Sequence, residues 1–287
     1  MPIDPNIALG AQLESIDFAW TPTDVQHYNL ALGAGARWTD PAELRYLDDR
    51  APQVLPTFAT VAPFFHETEP PKVQFPGIDI DLAKVVHGSQ EVVVHQPIPA
   101  SGKATFERRI SELWDKGSAA VIWQEHTATS SDGELLWTAR SSIFAKGEGG
   151  FGGDRGPSSK SELPDRTPDF DIFTPTLPQQ ALLYRMCGDR NPLHSDPEFA
   201  RAAGFPNPIM HGLGTYGLVC KAATDTVLDS DATRVKSFRT RFAGVLYPGE
   251  TLHSRIWKTA EGELTIAVTV VEREESPVLA DVVLTYE

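Results

Sequence analysis

The segment 187–212, CGDRNPLHSDPEFARAAGFPNPIMHG, concentrates side chains that can transfer protons, in particular Asp189 and His194. A carboxylate and an imidazole that face one small volume can hold a water molecule, with one group accepting a proton while the other donates one. Gly212 stands where a following helix should begin, and the free backbone N–H of such a residue can stabilise an oxyanion. This combination predicts the addition of water to, or its elimination from, an activated carbonyl compound.

The glycine and proline positions predict how these groups are brought together. The helix expected over 178–187 should end near Gly188, because glycine suits a left-handed cap and Pro192 cannot continue the hydrogen-bond ladder. Asn191 precedes that proline and is therefore held in an extended conformation, which reverses the chain. We expect this reversal to bring His194 back towards Asp189.

Two simpler interpretations of the same residues stay open. A short Asp-x-Asn-Pro sequence is often only a turn, and His211 could be a buried histidine bonded to a backbone carbonyl. Asp189, His194 and His211 could instead bind zinc, although neither an HExxH motif nor paired cysteines support a metal site. We therefore predict no metal and no cofactor.

Composition limits the classes of function. The 287 residues suggest about two domains. The formal net charge of −14 disfavours nucleic-acid binding, and two cysteines give no disulfide framework, which suits a cytoplasmic protein. The sequence has neither an apolar run long enough to span a membrane nor a signal-peptide pattern at its start, and it ends in LTYE rather than a peroxisomal tripeptide. We expect no membrane association.

The sequence indicates that the chain consists of two related halves. A stretch rich in Gly, Pro, Ser and charge predicts a linker over 153–168, between a first half 1–152 and a second half 169–287. Each half begins with helical segments and continues into four strands with alternating polarity. They are QEVVVHQ, ATFERRISEL, AAVIWQEHTAT and LWTARSSIFA in the first half, and VKSFRTRFA, TLHSRIWK, ELTIAVTVVE and PVLADVVLTYE in the second. A further short helix is expected over 195–204. We predict an α+β fold made of an internally duplicated unit.

The halves differ at the site. The first half has GAGARWTDPAE where the second has CGDRNPLHSDP, and alignment of Pro56 with Pro208 places Ala59 and Thr60 opposite His211 and Gly212. Packing alone would not require this asymmetry. The chemistry is therefore predicted to lie in the second half.

These residues resemble the MaoC-like, type 2 (R-specific) enoyl-CoA hydratases, most closely the hydratase part of peroxisomal multifunctional enzymes of type 2. The similarity lies in YRMCGDRNPLHSDPEFARAAGFPNPIMHG and RFAGVLYPGETL, and in VVHGSQEVVVHQPIPASGK, DKGSAAVIW and GEGGFGG of the first half. The resemblance implies a double hot-dog fold, each half a sheet around a central helix. It also implies reversible syn hydration of trans-2-enoyl-CoA to (3R)-3-hydroxyacyl-CoA, for medium, long or bulky acyl chains of fatty-acid or steroid side-chain metabolism, and is compatible with a homodimer.

The resemblance also assigns roles to residues. It implies that Asp189 and His194 are the acid–base pair, that Asn191 orients the turn, and that Gly212 supplies the oxyanion N–H. It implies substrate or CoA contacts at His87, Gly88, Lys116, Arg190, Pro192, Leu193 and Phe242. The basic residues Arg234, Lys236, Arg239 and Arg241 could meet CoA phosphates or form a solvated strand face. A non-catalytic acyl-CoA-binding protein and an acyl-CoA thioesterase are the alternatives on the same fold.

Overall fold

The computed structural model of the protein describes residues 3–70, 74–80, 85–157 and 162–287. Its described strands form one antiparallel sheet in the order β1-β3-β4-β5-β2-β7-β10-β9-β8-β6. They are β1 Gln12–Trp20, β2 Val85–Val94, β3 Gly102–Asp115, β4 Ala119–Ser130, β5 Leu135–Lys146, β6 Phe170–Pro175, β7 Val235–Phe242, β8 Thr251–Ala260, β9 Glu263–Val270 and β10 Ser276–Tyr286.

The described α-helices are α1 Pro5–Ala8, α2 Pro22–Ala31, α3 Pro41–Leu44, α4 Gln180–Tyr184, α5 Pro197–Ala202 and α6 Gly212–Val227. Together with the sheet they confirm the α+β class. The two halves join edge to edge, because β2 of the first pairs with β7 of the second from Ser89 opposite Arg241 to Val93 opposite Ser237. The eight strands predicted from alternation are present, whereas β1 and β6, the two edge strands, were not predicted.

The central helix differs between the halves. In the second half α6 is sixteen residues long and largely buried. In the first half, the segment aligned with it forms two short 3-10 turns, Pro56–Thr60 and Ala62–Phe64. The expectation of a central helix in each half is therefore corrected for the first half. Pro63 lacks an N–H and its ring would clash with the carbonyl four residues earlier, so an α-helix cannot continue through this segment.

Two hydrophobic clusters fill the interior. The larger, which we call the main core, packs α2, α6 and strands of both halves, and includes Val92, Ala128 and Ala139. The smaller, which we call the N-terminal cluster, includes Ile110, Ile122 and Ala145, with Phe75 and Val85 packed against it. The predicted domain bounds remain a prediction, because part of the proposed linker, residues 158–161, lies outside the described residues. Within the part of the chain that the structure describes, no helix is long and apolar enough to cross a membrane.

Candidate active site

The turn that carries the candidate acid–base pair begins where α4 ends. α4 passes into a 3-10 turn, Arg185–Cys187, and Gly188 follows with a φ of +106°. A Cβ atom at Gly188 would lie 2.0 Å from the backbone oxygen of Phe64, so no other residue fits without displacing the first half. The left-handed cap predicted from sequence is confirmed, and it fixes where Asp189 leaves the helix.

Asn191 shapes the next residues. Its φ of −55° and ψ of 122° are extended, as expected before Pro192, and its side-chain Oδ1 accepts the Leu193 N–H at 3.0 Å. The Asn191 N–H donates to Oδ1 of Asp189 at 3.1 Å. A 3-10 turn over Pro192–His194 then brings the imidazole of His194 back towards Asp189. The predicted chain reversal is therefore present, and Asn191 holds it through its side chain.

Asp189, His194 and His211 converge, with one oxygen or nitrogen of each side chain within 4.8 Å of the others. The imidazole of His194 is buried, and its Nδ1 lies 2.9 Å from the carbonyl oxygen of Ile209. Nδ1 must carry the proton to donate this bond, so Nε2 is left with a lone pair. Burial lowers the pKa of His194, and the Asp189 carboxylate opposes this shift only partly. The ring is thus a neutral base near neutral pH.

His211 supports this pair. Its Nε2 donates to the backbone oxygen of Asp189 at 3.2 Å, and its ring stacks on that of His194 with centroids 3.7 Å apart. Burial, followed by the neighbouring His194, lowers the pKa of His211 well below its ordinary value. The interpretation as a buried histidine bonded to a carbonyl is confirmed. Sequence reasoning did not include His211 among the site residues, although its position directly before Gly212 was a usable signal.

Gly212 is the first residue of α6 and follows His211, the helix N-cap. The backbone N–H at this position has no intrahelical partner, so it is available to a ligand oxygen. A Cβ at Gly212 would lie 3.1 Å from the ring of Phe242. The structure therefore places a free helix N-terminus, the acid–base pair and the Phe242 ring next to one another.

The first half reaches this site through β2. The ring centroids of His87 and Phe242 are 4.5 Å apart, and His87 donates from Nε2 to the backbone oxygen of Ser89 at 3.1 Å. Burial lowers the pKa of His87 to about 4, so this ring is neutral. A Cβ at Gly88 would lie 2.7 Å from Oγ of Ser142, which explains a glycine in the β2 bulge. Three predicted binding residues thus lie along one side of the site.

The remaining predicted contacts are more dispersed. Arg190 leaves the catalytic turn and donates from Nε to the backbone oxygen of Glu67 at 3.2 Å, while the partly buried Pro192 and Leu193 form the turn itself. Lys116 lies between β3 and β4, where Nζ donates to the backbone oxygen of Pro157 at 3.0 Å. No contact of Lys116 with the site residues is found among the described residues.

Most of the basic side chains between Arg234 and Arg241 have hydrogen-bond or ion-pair partners. Lys236 and Arg241 form ion pairs with Glu287 and Asp281, and Arg234 donates to the backbone oxygen of Glu287. Arg239 is exposed on β7. These contacts fit the solvated-face interpretation and leave few cations of this strand free for phosphate.

The three converging side chains also bear on the zinc alternative. The Ile209 carbonyl occupies Nδ1 of His194, and the Asp189 carbonyl occupies Nε2 of His211. A metal would have to take the remaining nitrogen of each ring and the Asp189 carboxylate. Binding at Nε2 of His194 would remove the lone pair that the acid–base function needs, so the two functions exclude each other.

Comparison with known proteins agrees with this geometry. A family model described as MaoC like domain matches residues 159–277, and one described as MFE-2 hydratase 2 N-terminal domain matches residues 18–147. The enoyl-CoA hydratase ChsH3 of Mycobacterium tuberculosis is 59% identical over 99% of both chains. The mouse peroxisomal multifunctional enzyme type 2 is 37% identical over 88% of this chain and 34% of its own length.

Solved structures confirm the fold. A MaoC-like dehydratase from Phytophthora capsici superposes with a TM-score of 0.89 at 26% identity, covering 99% of this chain and 98% of its own. A Mycobacterium tuberculosis protein described as a double hot-dog fold matches with a TM-score of 0.58 at 13% identity, over 98% and 96% of the two chains. The expected double hot-dog architecture is therefore present. With a candidate catalytic turn, a free helix N-terminus and matches along nearly its whole length, the chain belongs to the MaoC-like type 2 enoyl-CoA hydratase family.

Proposed function

We propose that the protein catalyses the reversible R-specific hydration of trans-2-enoyl-CoA to (3R)-3-hydroxyacyl-CoA. The observation that carries this proposal is the hydrogen bond from Nδ1 of His194 to Ile209, which leaves Nε2 as a buried neutral base beside the Asp189 carboxylate. The Gly212 N–H at the start of α6 directly follows His211, whose ring stacks on that of His194. Several relatives bear enoyl-CoA hydratase names, which supports the same reaction.

The roles of these groups follow from the reaction. Gly212 donates to the thioester oxygen, which withdraws electrons from C3 and stabilises the enolate. Nε2 of His194 removes a proton from water as its oxygen bonds to C3, and Asp189 holds the second water hydrogen. The Asp189–His194 pair then delivers a proton to C2 from the same face. One water is consumed, C3 gains a hydroxyl and C2 gains hydrogen, so the addition is syn.

Two alternatives share the fold. A non-catalytic acyl-CoA-binding protein would not need a neutral buried imidazole opposite a carboxylate, and this pair argues against it. A thioesterase would release free CoA thiol, whereas a hydratase keeps the thioester intact. Mixing the protein with a trans-2-enoyl-CoA, following the conjugated absorbance and assaying free thiol in the same tube separates all three. Loss of absorbance without thiol supports hydration; thiol release or an unchanged spectrum contradicts it.

The stereochemistry of the product tests the placement of the water. A single Asp189–His194 site on one side of the enoyl plane, with the thioester oxygen fixed at Gly212, allows attack on one face of C3. We expect the product to be oxidised by an R-specific 3-hydroxyacyl-CoA dehydrogenase. Oxidation mainly by an S-specific dehydrogenase would mean that the water lies on the other face.

We further propose that the substrates are long or bulky acyl chains of fatty-acid or steroid side-chain metabolism. Support comes from the first half, where two short 3-10 turns stand in place of a central helix beside the sheet. Activity should extend well beyond the four-carbon crotonyl-CoA, and a strict preference for crotonyl-CoA would contradict this. A cytoplasmic location and a homodimer also remain proposals; light scattering on the purified chain would test the latter.

A further inference from the structure

A row of polar side chains crosses the interior face of the first half. Strand pairing places Arg108 opposite His126, and Gln124 opposite Ser141. Ser141 lies opposite Gln90, and Gln90 opposite Thr240 of β7. Gln90, Gln124, Ser141 and Thr240 are at most 9% exposed. We call the six residues Arg108, His126, Gln124, Ser141, Gln90 and Thr240 the polar band. Buried polar side chains in a hot-dog interior are costly and call for partners.

The polar band separates the two hydrophobic clusters. Along β4, Ala128 on one side of it belongs to the main core, and Ile122 on the other side belongs to the N-terminal cluster. Along β5, Ala139 belongs to the main core and Ala145 belongs to the N-terminal cluster. The clusters are thus kept apart by a strip of the sheet that is polar on its interior face. This strip lies beside the 3-10 turns that replace the central helix.

One end of the band lies at the catalytic site. Thr240 is followed on β7 by Phe242, which contacts both Gly212 and His87. From β7 the band crosses β2, β5 and β4 to reach β3. Measured along the sheet, these four strand spacings amount to roughly 19 Å. The band therefore leads along the inner face of the sheet from the proposed site to β3 of the first half.

That far end carries two hydrogen-bonding atoms without a partner. Nε of Arg108 and Nε2 of His126 are both fully enclosed, and neither makes a hydrogen bond within the described part of the chain. Nη2 of Arg108 does donate, to the backbone oxygen of Glu14 at 3.3 Å. Nε of arginine can only donate, and Nε2 of a neutral imidazole donates in the tautomer that carries the hydrogen there. In that tautomer of His126, one acceptor oxygen would satisfy both neighbouring nitrogens.

The surroundings indicate what carries that oxygen. The Arg108 guanidinium lies 5.8 Å from the ring centroid of Phe64 and 5.9 Å from that of Phe106. The ring of His126 meets Phe106 edge-on at 5.2 Å. Burial, and then Arg108, lowers the pKa of His126 to about 4, so this ring adds no charge. Aromatic walls around two donors fit an oxygen on an apolar body better than a phosphate.

We propose that Arg108 and His126 form a specificity site that binds a carbonyl or hydroxyl oxygen of the bound thioester, other than the thioester oxygen itself. This inference rests on the proposed function and deepens it. The oxygen can belong to an oxygenated acyl group or to an amide of the pantetheine arm, since both are acceptors on largely apolar chains. The site would make the enzyme favour substrates that satisfy both donors over substrates that leave them unpaired.

The test uses matched substrates and variants of the full chain. The substrates are a long trans-2-enoyl-CoA, the same chain with a ketone moved stepwise towards its far end, and the N-acetylcysteamine thioesters of both. The variants are Arg108→Met and His126→Phe, which remove the donors and keep the bulk. Arg109→Met is the control, because Arg109 lies next to Arg108 on β3 and pairs through Nε with Glu125 at 3.0 Å.

If the bound oxygen belongs to the acyl group, the wild type should have its highest kcat/KM for one position of the ketone. Arg108→Met should then lower kcat/KM for that ketone about tenfold relative to the plain chain, mainly through KM. If the oxygen belongs to the pantetheine arm, Arg108→Met should lower kcat/KM equally for all CoA thioesters and should leave kcat/KM unchanged for the N-acetylcysteamine thioesters. Arg109→Met should change neither ratio.

Unchanged ratios and unchanged KM in both variants would overturn the proposal. If Arg108→Met does not fold, as judged by its thermal unfolding, His126→Phe supplies the same comparison. Hydration of the plain chain by wild type tests the proposed function separately. If wild type hydrates none of these substrates, calorimetric titration of the ketone-bearing and plain acyl-CoA into both proteins still tests the site through Kd.

Discussion

At the scale of single residues, the proposed chemistry depends on one imidazole, that of His194, in one tautomer. The Ile209 carbonyl fixes the proton of His194 on Nδ1, and His211 packs flat against the same ring. In the proposed mechanism, His211 therefore positions the base and itself transfers no proton. Nε2 of His211 already donates a hydrogen bond to the backbone oxygen of Asp189.

Asp189→Asn and His194→Gln should each lower kcat for hydration about a hundredfold to ten-thousandfold. Each change removes the capacity for proton transfer and alters volume little, so acyl-CoA affinity should stay close to that of the wild type. Stopped-flow assays and calorimetric titration measure the two quantities. Asp196→Asn is the matched control, because Asp196 caps α5 and asparagine caps a helix equally well. Near-normal turnover in either site variant would disprove the assigned roles.

The dependence of kcat/KM on pH should show that His194 stays neutral below the pH at which an ordinary histidine is protonated. Burial lowers the pKa of this ring, and protonation of Nε2 would remove its ability to accept a proton from water. Activity should therefore be retained as pH falls through 6.5, the ordinary value for histidine, and be lost only at lower pH. An acid limb centred at or above 6.5 would contradict a buried neutral base.

At the scale of elements, the start of α6 offers the site the Gly212 N–H, which we propose as the oxyanion donor. His211 is the N-cap, with φ −58° and ψ 135°, a conformation that a following proline accepts. Proline is also well tolerated at the first position of a helix. The chain therefore allows one backbone N–H to be removed without breaking the helix that carries it.

Gly212→Pro should lower kcat about a hundredfold or more, because it deletes the N–H that stabilises the enolate oxygen. Gly212→Ala is the control for bulk, since it keeps the N–H and brings the same Cβ to 3.1 Å from Phe242. We expect the alanine variant to keep most of its activity. Equal losses in both variants would show that crowding of Phe242, and not the N–H, is responsible.

At the scale of the whole molecule, a buried ionic network ties the two halves together. Lys221 of α6 donates to Glu43 of the first half at 2.8 Å and to Asp225 at 2.7 Å. Tyr46 donates to the same Asp225 at 2.9 Å. Burial raises the pKa of Glu43, but Lys221, Arg37 and the Gly35 N–H outweigh this and hold it below its usual value. The carboxylate is thus ionised inside the interface between the halves.

Lys221→Met should destabilise the protein by about 3 kcal/mol or more, because it leaves two carboxylates without their shared cation in a buried position. Lys236→Met removes a lysine whose partner, Glu287, is largely exposed, and should cost less than about 1 kcal/mol. Urea unfolding of both variants measures the difference. Similar free energies of unfolding would mean that solvent already screens the buried network.

Stability should also fall as the solution is acidified from pH 7 to pH 5. The pKa of His87 and that of His126 are each lowered to about 4 in the fold, so between 6.5 and 4 the unfolded chain binds more protons than the folded one. Each group therefore contributes stability that is present above 6.5 and lost as pH falls, about 2 kcal/mol by pH 5. His126→Phe should make the decline shallower by that amount in urea unfolding. An unchanged decline would contradict burial of the neutral ring.

The sequence by itself determined the local parts of the site. Gly188, Asn191 and Pro192 act on their own backbone neighbours, so the catalytic turn and the meeting of Asp189 with His194 could be predicted from their order along the chain. The alternation of eight strands and the start of α6 at Gly212 were readable for the same reason: periodicity and caps are properties of neighbouring residues.

The tertiary structure decided what depends on distant residues. The edge strands β1 and β6 form because β3 and β8 offer them unpaired edges, and the 3-10 turns replace a helix because Pro63 interrupts it. Lys116 finds its partner, the carbonyl of Pro157, in the predicted linker. His211 becomes a support for His194 only when α6 places it there. The pairing of Arg108 with His126 depends on the register of two strands, which no local pattern specifies. Neighbouring residues determine a turn, whereas contacts between strands and helices depend on how the whole chain packs.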